Sequence, residues 1–369
     1  MLVAMKKGQL ILAEDVCDKD GYSCPGCGEP VILRRGRHKI AHFAHRPGSK
    51  CQLGEGETAE HLLGKRQLFQ WYQQQGRHVE LEVYLPAINQ RPDLLLTDGN
   101  RRVAIEFQCS PLSLQRLLER NAGYRQCGIY FHWLLGAPYQ GRHLQSAKIA
   151  QFTQEVGGYP SLLFWDTRVG HLVVKRDLVR CSFIRHSVLE PWAIVKYQMR
   201  RLSALQYGRG PCPMFIRQLV VSLPGHRPLA TCPLVCHDVI PSWPTLDEPV
   251  ILWRIRIIAC LMDQPLFHYW SYQDWKEWLN ELTGDHWLGY GCLDATTIHQ
   301  QLITAFTNDL LSYRILLACP GGYLLFKYPR WFANVPEKVN LLNRGRLLQA
   351  IALKWQIARN NLNEFSDVD

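Results

Sequence analysis

The fold is decided by the stretch RPDLLLTDGNRRVAIEFQ, which spans residues 91–108. Its two apolar runs, at residues 94–96 and 103–105, have the length and composition of short buried strands. The Asp-Gly-Asn sequence between them is typical of a hairpin turn. The pattern therefore predicts a β-hairpin that brings Asp93 and Glu106 close together.

Two carboxylates on adjacent strands are suitable ligands for a hard divalent cation. Mg²⁺ takes carboxylate, carbonyl and water oxygens, and a metal so held activates water against a phosphodiester. Glu106 alternates with apolar neighbours along its strand, so Gln108 lies on the same face. The alternative is that Asp93 and Glu106 are ordinary solvated acids at the end of a hairpin. The purely polar face that Glu106 shares with Gln108 favours the nuclease interpretation.

Helices are predicted on both sides of the hairpin. Upstream, the segment ETAEHLLGK begins a helix in which Glu60 lies about one turn from Lys65. Downstream, residues 114–124 form a second predicted helix, with Arg120 and Tyr124 spaced i, i+4 on one face. The predicted order of elements is helix, three strands, helix, strand.

These motifs together resemble those of the competence protein CoiA family, whose central domain resembles the PD-(D/E)XK nuclease superfamily. The resemblance covers most of residues 1–180. The matching segments are CPGC (24–27), HFAH (42–45), Glu60-His61 with Lys65, RPD (91–93), EFQCS (106–110) and RNAGY (120–124).

The resemblance implies a set of roles for these residues. Asp93 and Glu106 would bind Mg²⁺ or Mn²⁺, and Glu60 would be the helical acid that joins them. Arg120 and Tyr124 would support the site or hold phosphate. A lysine two residues after the glutamate assists the attacking water in the superfamily, and here that position is Gln108. Glutamine orients water by hydrogen bonding but carries no charge to offset the phosphate.

A zinc site is predicted in the first fifty residues. The Cys24-x-x-Cys27 turn presents both sulfurs to one ion, and tetrahedral Zn²⁺ requires two further ligands. His42, His45 and Cys51 compete for these places; His45 and Cys51 are favoured, with His42 packing or facing phosphate. Reduced thiols and surface histidines are the alternative, but a segment with so little aliphatic content needs a metal to fold.

Two basic stretches without acidic residues, 31–50 and 195–237, predict a surface for DNA. Lysine and arginine contacts to phosphates supply most sequence-independent affinity for nucleic acids. A solvated charged face is the alternative, but the formal net charge of +10 and the pI near 9.0 favour association with polyanions. The residues predicted to bind nucleic acid are Arg34, Arg35, Arg37, Lys39, Lys65, Arg200 and Arg201.

The length of 369 residues, 47% of them hydrophobic, is enough for two or three cores. We expect an α/β protein in three parts. Residues 1–56 form a basic zinc-knuckle domain, and residues 57–178 form a PD-(D/E)XK nuclease-like core with a mixed sheet flanked by helices. Residues 179–369 form a mostly α-helical domain, with helices expected at 250–262, 274–283, 298–313 and 339–360.

Two further features of the C-terminal half allow a functional interpretation. The aromatic segment 267–287 is either core or a surface that stacks bases, and ordinary packing is favoured because aromatic side chains dominate cores. Cys232, Cys236 and His237, with Cys212 nearby, are a candidate second metal cluster, although their spacing is loose.

The thirteen cysteines are an odd number in a long chain without a secretion signal, which favours reduced thiols. No apolar run nears the ~20 residues that span a bilayer. We therefore expect a cytoplasmic protein without membrane insertion.

Two functions remain open. The first is a divalent-metal-dependent deoxyribonuclease that acts on incoming DNA in natural transformation and recombination, a role that the resemblance implies. The second is a non-catalytic accessory factor that binds single-stranded DNA and helps to place a RecA-type recombinase on it. Gln108 is the residue that discriminates between them.

Overall fold

The computed structural model describes residues 1–18, 21–36, 39–51, 57–140, 144–176, 178–184, 190–208, 216–217 and 227–343. Contacts divide the chain into two compact units. The first comprises Met1–Asp177 with Gly289–Leu293, and the second comprises Leu178–Leu288 with the described residues from Asp294 onward. The division by contacts falls next to residue 178 and leaves residue 56 inside the first unit, and the predicted division into three domains stays a prediction.

The first unit begins with an antiparallel five-stranded sheet in the order β2-β1-β3-β4-β5. Its core contains Tyr22, Val31 and Phe43. The segment predicted as a zinc knuckle is therefore built on a sheet, and the CPGC turn joins two of its strands. The strands are β1 Val3–Lys6, β2 Gln9–Leu12, β3 Tyr22–Ser23, β4 Pro30–Gly36 and β5 Lys39–His45.

The rest of the first unit is a mixed sheet flanked by helices. The order is β10-β11-β9-β8-β7-β6, with β12 pairing β11, and the β8–β9 and β9–β11 pairs are parallel. The predicted order of helix, three strands, helix and strand is confirmed. The elements are α1 Ala59–Gln74, β6 His78–Leu81, β7 Leu94–Asp98, β8 Arg101–Gln108, α2 Leu114–Gln126, β9 Ile129–Leu135, α3 Ala137–Gln140, α4 Ser146–Phe152, β10 Gln154–Val156, β11 Tyr159–Asp166 and β12 His171–Lys175.

The predicted hairpin is present as β7 and β8, which pair antiparallel from Leu94 opposite Ile105 to Asp98 opposite Arg101. Helix α2 makes the crossover that a parallel β8–β9 pair requires. Helix α1 packs closely on β8 at Gly64, where an added Cβ would lie 2.0 Å from the Phe107 ring. This contact places the N-terminal end of α1 beside the open end of the hairpin.

The second unit is mainly helical and also contains a small sheet that the sequence pattern did not predict, in the order β13-β15-β14. The helix predicted at 250–262 matches α6. The structure describes a helix at Val335–Asn343, and the rest of the helix predicted at 339–360 lies outside the described residues. None of the described helices has both the length and the apolar character needed to cross a membrane. The elements are α5 Pro191–Tyr207, α6 Val250–Met262, β13 Tyr269–Ser271, α7 Tyr272–Thr283, α8 Ala295–Ser312, β14 Leu316–Cys319, β15 Gly322–Leu325 and α9 Val335–Asn343.

The aromatic segment divides between core and surface. Trp270, Trp275 and Trp278 pack on one another with ring centroids 5.3–5.5 Å apart. The packing expected of the tryptophans is therefore present, whereas Phe267 and Tyr272 are exposed.

A lysine lies at the centre of the candidate second metal cluster. Cys232, Cys236 and His237 are buried, and Lys338 Nζ donates to Cys232 O at 2.6 Å and to His237 Nε2 at 2.9 Å. Cys212 lies outside the described residues. Because the ammonium already supplies a positive charge at this position, the local electrostatics oppose a metal cation there.

Candidate metal centre

A polar pocket of about 250 Å³ lies where the open end of the β7–β8 hairpin meets the start of α1. We call it the acidic pocket. Its walls come from four places in the first unit: the start of α1, the loop before β7, the end of β8, and α2. The charged and polar residues that line it include Glu57, His61, Asp93, Glu106, Gln108, Arg116 and Arg120.

Asp93 has two close hydrogen-bond partners in the acidic pocket. Its Oδ2 accepts a hydrogen bond from the Phe107 backbone N–H at 2.8 Å and lies 3.0 Å from His61 Nε2. Burial opposes ionisation of Asp93, but the charge and hydrogen bond of His61 outweigh it and hold the pKa of the carboxyl below its usual value. The backbone contact fixes Asp93 against the strand that carries Glu106.

Glu57, His61 and Asp93 form a group whose ligand atoms all lie within 4.8 Å of one another. Glu57 directly precedes Thr58, the N-cap of α1, and His61 follows one turn later, with its Nδ1 3.9 Å from Glu57 Oε1. Two carboxylates and an imidazole at this separation are a donor set that a divalent cation accepts. Glu57 is not among the site residues predicted from the sequence, although its i, i+4 spacing from His61 indicates that the two side chains lie close together.

Glu60, the helical acid implied by the family resemblance, is directed elsewhere. Its carboxylate accepts a hydrogen bond from the Ala137 N–H at 2.6 Å, at the start of α3. The structure therefore does not bring Glu60 into the group around Asp93.

Lys65 forms ion pairs with acids of the acidic pocket. It is completely buried, its ammonium donates to Glu57 and Glu82, and it lies 3.7 Å from Asp93 Oδ1. Burial opposes its charge, but the three carboxylates outweigh that effect and raise the pKa of Lys65. Lys65, predicted to bind nucleic acid, thus presents its charge to internal acids and not to solvent.

Glu106 is buried and has two internal partners. Its carboxylate accepts hydrogen bonds from the Arg120 guanidinium and the Tyr124 hydroxyl. Burial raises the pKa of Glu106, while the charge of Arg120 opposes the shift. The i, i+4 pair on α2 therefore holds Glu106 in place beside Asp93.

Gln108 lies at the mouth of the acidic pocket, at the end of β8. Its side-chain amide donates to Ser110 O at 2.7 Å and to Ser110 Oγ at 3.1 Å. Arg116, an exposed cation on α2, also lines the acidic pocket and was not singled out in the sequence. Asp93, Glu106, Gln108 and Arg120 are thus brought together, and Tyr124 lies behind Glu106.

A second group with metal-binding geometry lies in the N-terminal sheet. The ligand atoms of Cys24, Cys27, His45 and Cys51 all lie within 4.8 Å of one another, and Cys27 Sγ is 3.3 Å from His45 Nε2. The turn after β3 brings the first two thiols together, closed by the Gly28 N–H donating to Cys24 O at 2.9 Å with Gly28 at φ +74°. Three sulfurs and one imidazole fit a tetrahedral zinc ion.

His42 is separate from this group. Its Nδ1 lies 2.9 Å from Ile40 O. Of the three residues that competed for two places in the sequence, the structure brings His45 and Cys51 to the cysteine pair.

The predicted nucleic-acid-binding residues have different environments. Arg34 is exposed on β4, whereas Arg35 donates to Ala13 O at 3.0 Å and Glu14 O at 2.7 Å and so links β4 to the loop after β2. Arg200 and Arg201 are exposed on α5. Arg37 and the side chain of Lys39 lie outside the described residues.

The mixed sheet with flanking helices, and the acids gathered at the end of its hairpin, define a nuclease-like α/β domain. Residues 57–166 match the family model of the competence protein CoiA nuclease-like domain, and residues 5–54 match that of the CoiA N-terminal domain. Residues 5–54 and 57–166 of the chain are therefore similar to the two domains of the competence protein CoiA family.

A curated relative shows the same similarity over part of the chain. Competence protein CoiA of Bacillus subtilis (strain 168) is 37% identical over 116 residues. The aligned region covers 31% of this chain and 31% of that relative, less than a third of each. No solved structure matches the chain.

Proposed function

We propose that this protein processes incoming DNA in natural transformation and recombination, and that the acidic pocket is a divalent-metal-dependent, PD-(D/E)XK-like deoxyribonuclease site. The observation that carries the proposal is the position of Asp93. This acid meets Glu57 and His61 in a group with metal-ligand spacing, and it lies against the strand of Glu106. The family name and the name of the relative support a role in competence.

Asp93, with Glu57 and His61, would hold the Mg²⁺ or Mn²⁺ ion, and Glu106 is a third carboxylate nearby. Such an ion, when bound, activates water and neutralises charge on a phosphodiester. The chain supplies the remaining groups. Gln108 orients water through its amide, Arg120 and Tyr124 fix Glu106, and Arg116 offers an exposed cation to a phosphate at the rim of the acidic pocket.

The N-terminal group of Cys24, Cys27, His45 and Cys51 fits a structural Zn²⁺ ion. Binding of such an ion joins the β3–β4 turn to the end of β5 and the segment after it, and so stabilises the sheet. The sheet in turn contacts the nuclease-like domain, because the Leu2 and Val3 N–H groups donate to the Glu82 carboxylate. We place the protein in the cytoplasm, where reduced thiols suit this role.

One observation favours the accessory function as a second candidate. Each acid of the pocket already has an internal cation: Glu106 has Arg120, and Glu57 and Asp93 share Lys65. A charge balance of this kind holds the acids together without a metal. In that case the protein binds single-stranded DNA and helps to place a RecA-type recombinase on it, without cutting.

The test compares two aspartates at opposite ends of β7. Single-stranded, duplex and branched DNA are incubated with the full-length protein and Mg²⁺ or Mn²⁺. We expect Asp93→Asn to abolish cleavage and leave DNA affinity measured without divalent ions unchanged. Asp98→Asn, at the exposed turn, should cut like the wild type. Background cleavage in all three proteins with every metal and substrate rejects the nuclease and leaves the accessory function.

A further inference from the structure

Helix α5 in the second unit has two chemically distinct halves. With about 100° between successive residues, its buried side chains fall on one side and pack into the core; these are Pro191, Ile194, Val195, Gln198, Met199 and Leu202. The opposite half carries aromatic and basic side chains; these are Trp192, Lys196, Tyr197, Arg200, Arg201 and Tyr207. We call this second half the α5 face.

The aromatic side chains of the α5 face are more exposed than packing in the core would leave them. Trp192 is 44% exposed, Tyr197 39% and Tyr207 66%. Aromatic rings bury large areas in cores and interfaces, and leaving them in water forgoes that free energy. Three such rings on one helix therefore indicate a surface that contacts something else.

The charges of the α5 face point to a polyanion. The helix contains Lys196, Arg200 and Arg201 and no acidic residue. The cations lie between the rings along the sequence of the face, and Lys196 Nζ lies 4.8 Å from the centroid of the Trp192 ring. Aromatic platforms interleaved with lysine and arginine combine base stacking with attraction to phosphates.

We propose that the α5 face binds single-stranded DNA, with bases stacked on Trp192, Tyr197 and Tyr207 and phosphates held by Lys196, Arg200 and Arg201. Duplex DNA keeps its bases stacked on one another, so its phosphates can contact the cations but its bases cannot stack on the rings. The face is about 22 Å long at 1.5 Å per residue, enough for several nucleotides. A membrane surface is a poorer fit, because the apolar half of α5 is already buried in the core.

This inference rests on the proposed function only in taking DNA as the substrate. It is tested by binding of fluorescent oligonucleotides to the full-length protein without divalent ions, so that cleavage does not enter. The stacking variant is Trp192→Ala with Tyr207→Ala, and the charge variant is Arg200→Ala with Arg201→Ala. The control is Phe267→Ala with Tyr272→Ala, which removes exposed aromatic side chains of the same unit outside the α5 face.

We expect the stacking variant to lose about 10-fold or more in affinity for single-stranded DNA and to keep its affinity for duplex. The slope of log affinity against log salt should stay as in the wild type for this variant and become shallower by about 1.4 in the charge variant. The control should bind like the wild type. Trp192→Phe, which keeps a ring, should retain most of the affinity and so separates stacking from a loss of folding.

Several results would overturn the inference. These are unchanged single-strand binding in the stacking variant, an equal loss for duplex, or the same loss in the control. If the stacking or charge variant lost binding to vesicles of anionic lipid but kept its binding to DNA, the α5 face would be assigned to a membrane. A wild type that binds single strands through α5 yet never cuts would reject the nuclease alone. A wild type that cuts but ignores the α5 substitutions would reject this inference alone.

Discussion

At the scale of single residues, the acidic pocket depends on the ion pairs of a few buried groups. Lys65 is fully buried among Glu57, Glu82 and Asp93. Buried charges are tolerated when they are paired, and removal of one partner leaves the others uncompensated. Lys65 therefore acts as a positioning residue for the acids of the pocket.

His61 is the nitrogen donor of the proposed metal group, and its substitution tests that group directly. Imidazole suits Mn²⁺ better than Mg²⁺, which prefers oxygen ligands. We expect His61→Gln to weaken Mn²⁺ binding about 10-fold or more and to reduce the preference for Mn²⁺ over Mg²⁺. Isothermal titration with each metal measures both effects. An unchanged Mn²⁺ affinity would remove His61 from the metal group.

In the proposed PD-(D/E)XK-like site, Gln108 takes the position to which the family resemblance assigns a lysine. Its amide is held by Ser110 at the mouth of the acidic pocket, so a lysine there adds a charge where the phosphate would lie. We expect Gln108→Lys to raise cleavage about 10-fold if the remaining groups are complete. Gln115→Lys adds the same charge on α2 as a control and should have little effect. A Gln108→Lys protein as inactive as the wild type supports the accessory function.

At the scale of elements, the β3–β4 turn, the end of β5 and the segment after it carry the residues of the proposed zinc site. We expect about one zinc per chain in undenatured protein, and we expect its removal by a chelator to loosen the N-terminal sheet. Elemental analysis measures the zinc content, and hydrogen exchange of β3, β4 and β5 measures the loosening. Cys27→Ser should lose the metal. Cys17→Ser should keep it, because this exposed thiol lies outside the group.

Helices α5 and α9 meet at a buried histidine of the second unit. His237 accepts from Lys338 at Nε2 and donates from Nδ1 to Gln198 Oε1 at 2.8 Å. Both contacts suit a neutral ring, and burial together with the Lys338 charge lowers the pKa of His237 to about 4. Because the unfolded value is near 6.5, its contribution to stability is complete above pH 6.5 and is lost as the pH falls toward 4.

We expect the contribution of His237 to the free energy of unfolding to be about 3 kcal/mol, from the size of the change in its pKa. Burial raises the pKa of the neighbouring Asp238 to about 6, which acts in the opposite direction over the same range. The difference in urea unfolding free energy between wild type and His237→Gln isolates the histidine, and it should shrink from pH 6.5 to pH 4. His171→Gln, at an exposed position, should follow the wild type at every pH. A constant difference between wild type and His237→Gln would contradict the assignment.

At the scale of the whole molecule, the net charge of +10 favours association with DNA through phosphates. We expect affinity to fall steeply with salt and to be independent of sequence. Arg34→Ala should make the salt slope shallower by about 0.7–0.9, the value of one phosphate contact. Arg168→Ala is the control, because this exposed arginine is already paired with Asp166. An Arg34→Ala slope equal to that of the wild type would leave Arg34 on a solvated face.

The sequence by itself determined the features that depend on neighbours along the chain. The hairpin of β7 and β8 follows from two apolar runs around a turn, and the order of helices and strands follows from hydrophobic period. Local spacing also indicated that Arg120 and Tyr124 share a face, and the structure shows both of them bound to Glu106.

Only the tertiary structure decided which groups meet across the chain. Glu57 and Glu60 are both near the start of α1, but Glu57 meets Asp93 whereas Glu60 accepts a hydrogen bond from the Ala137 N–H. The internal cations of the acids and the three-stranded sheet of the second unit likewise depend on pairs distant in sequence. Periodicity reports which face of an element is buried, whereas the partner of a buried charge depends on how separate elements pack, and no local pattern contains that information.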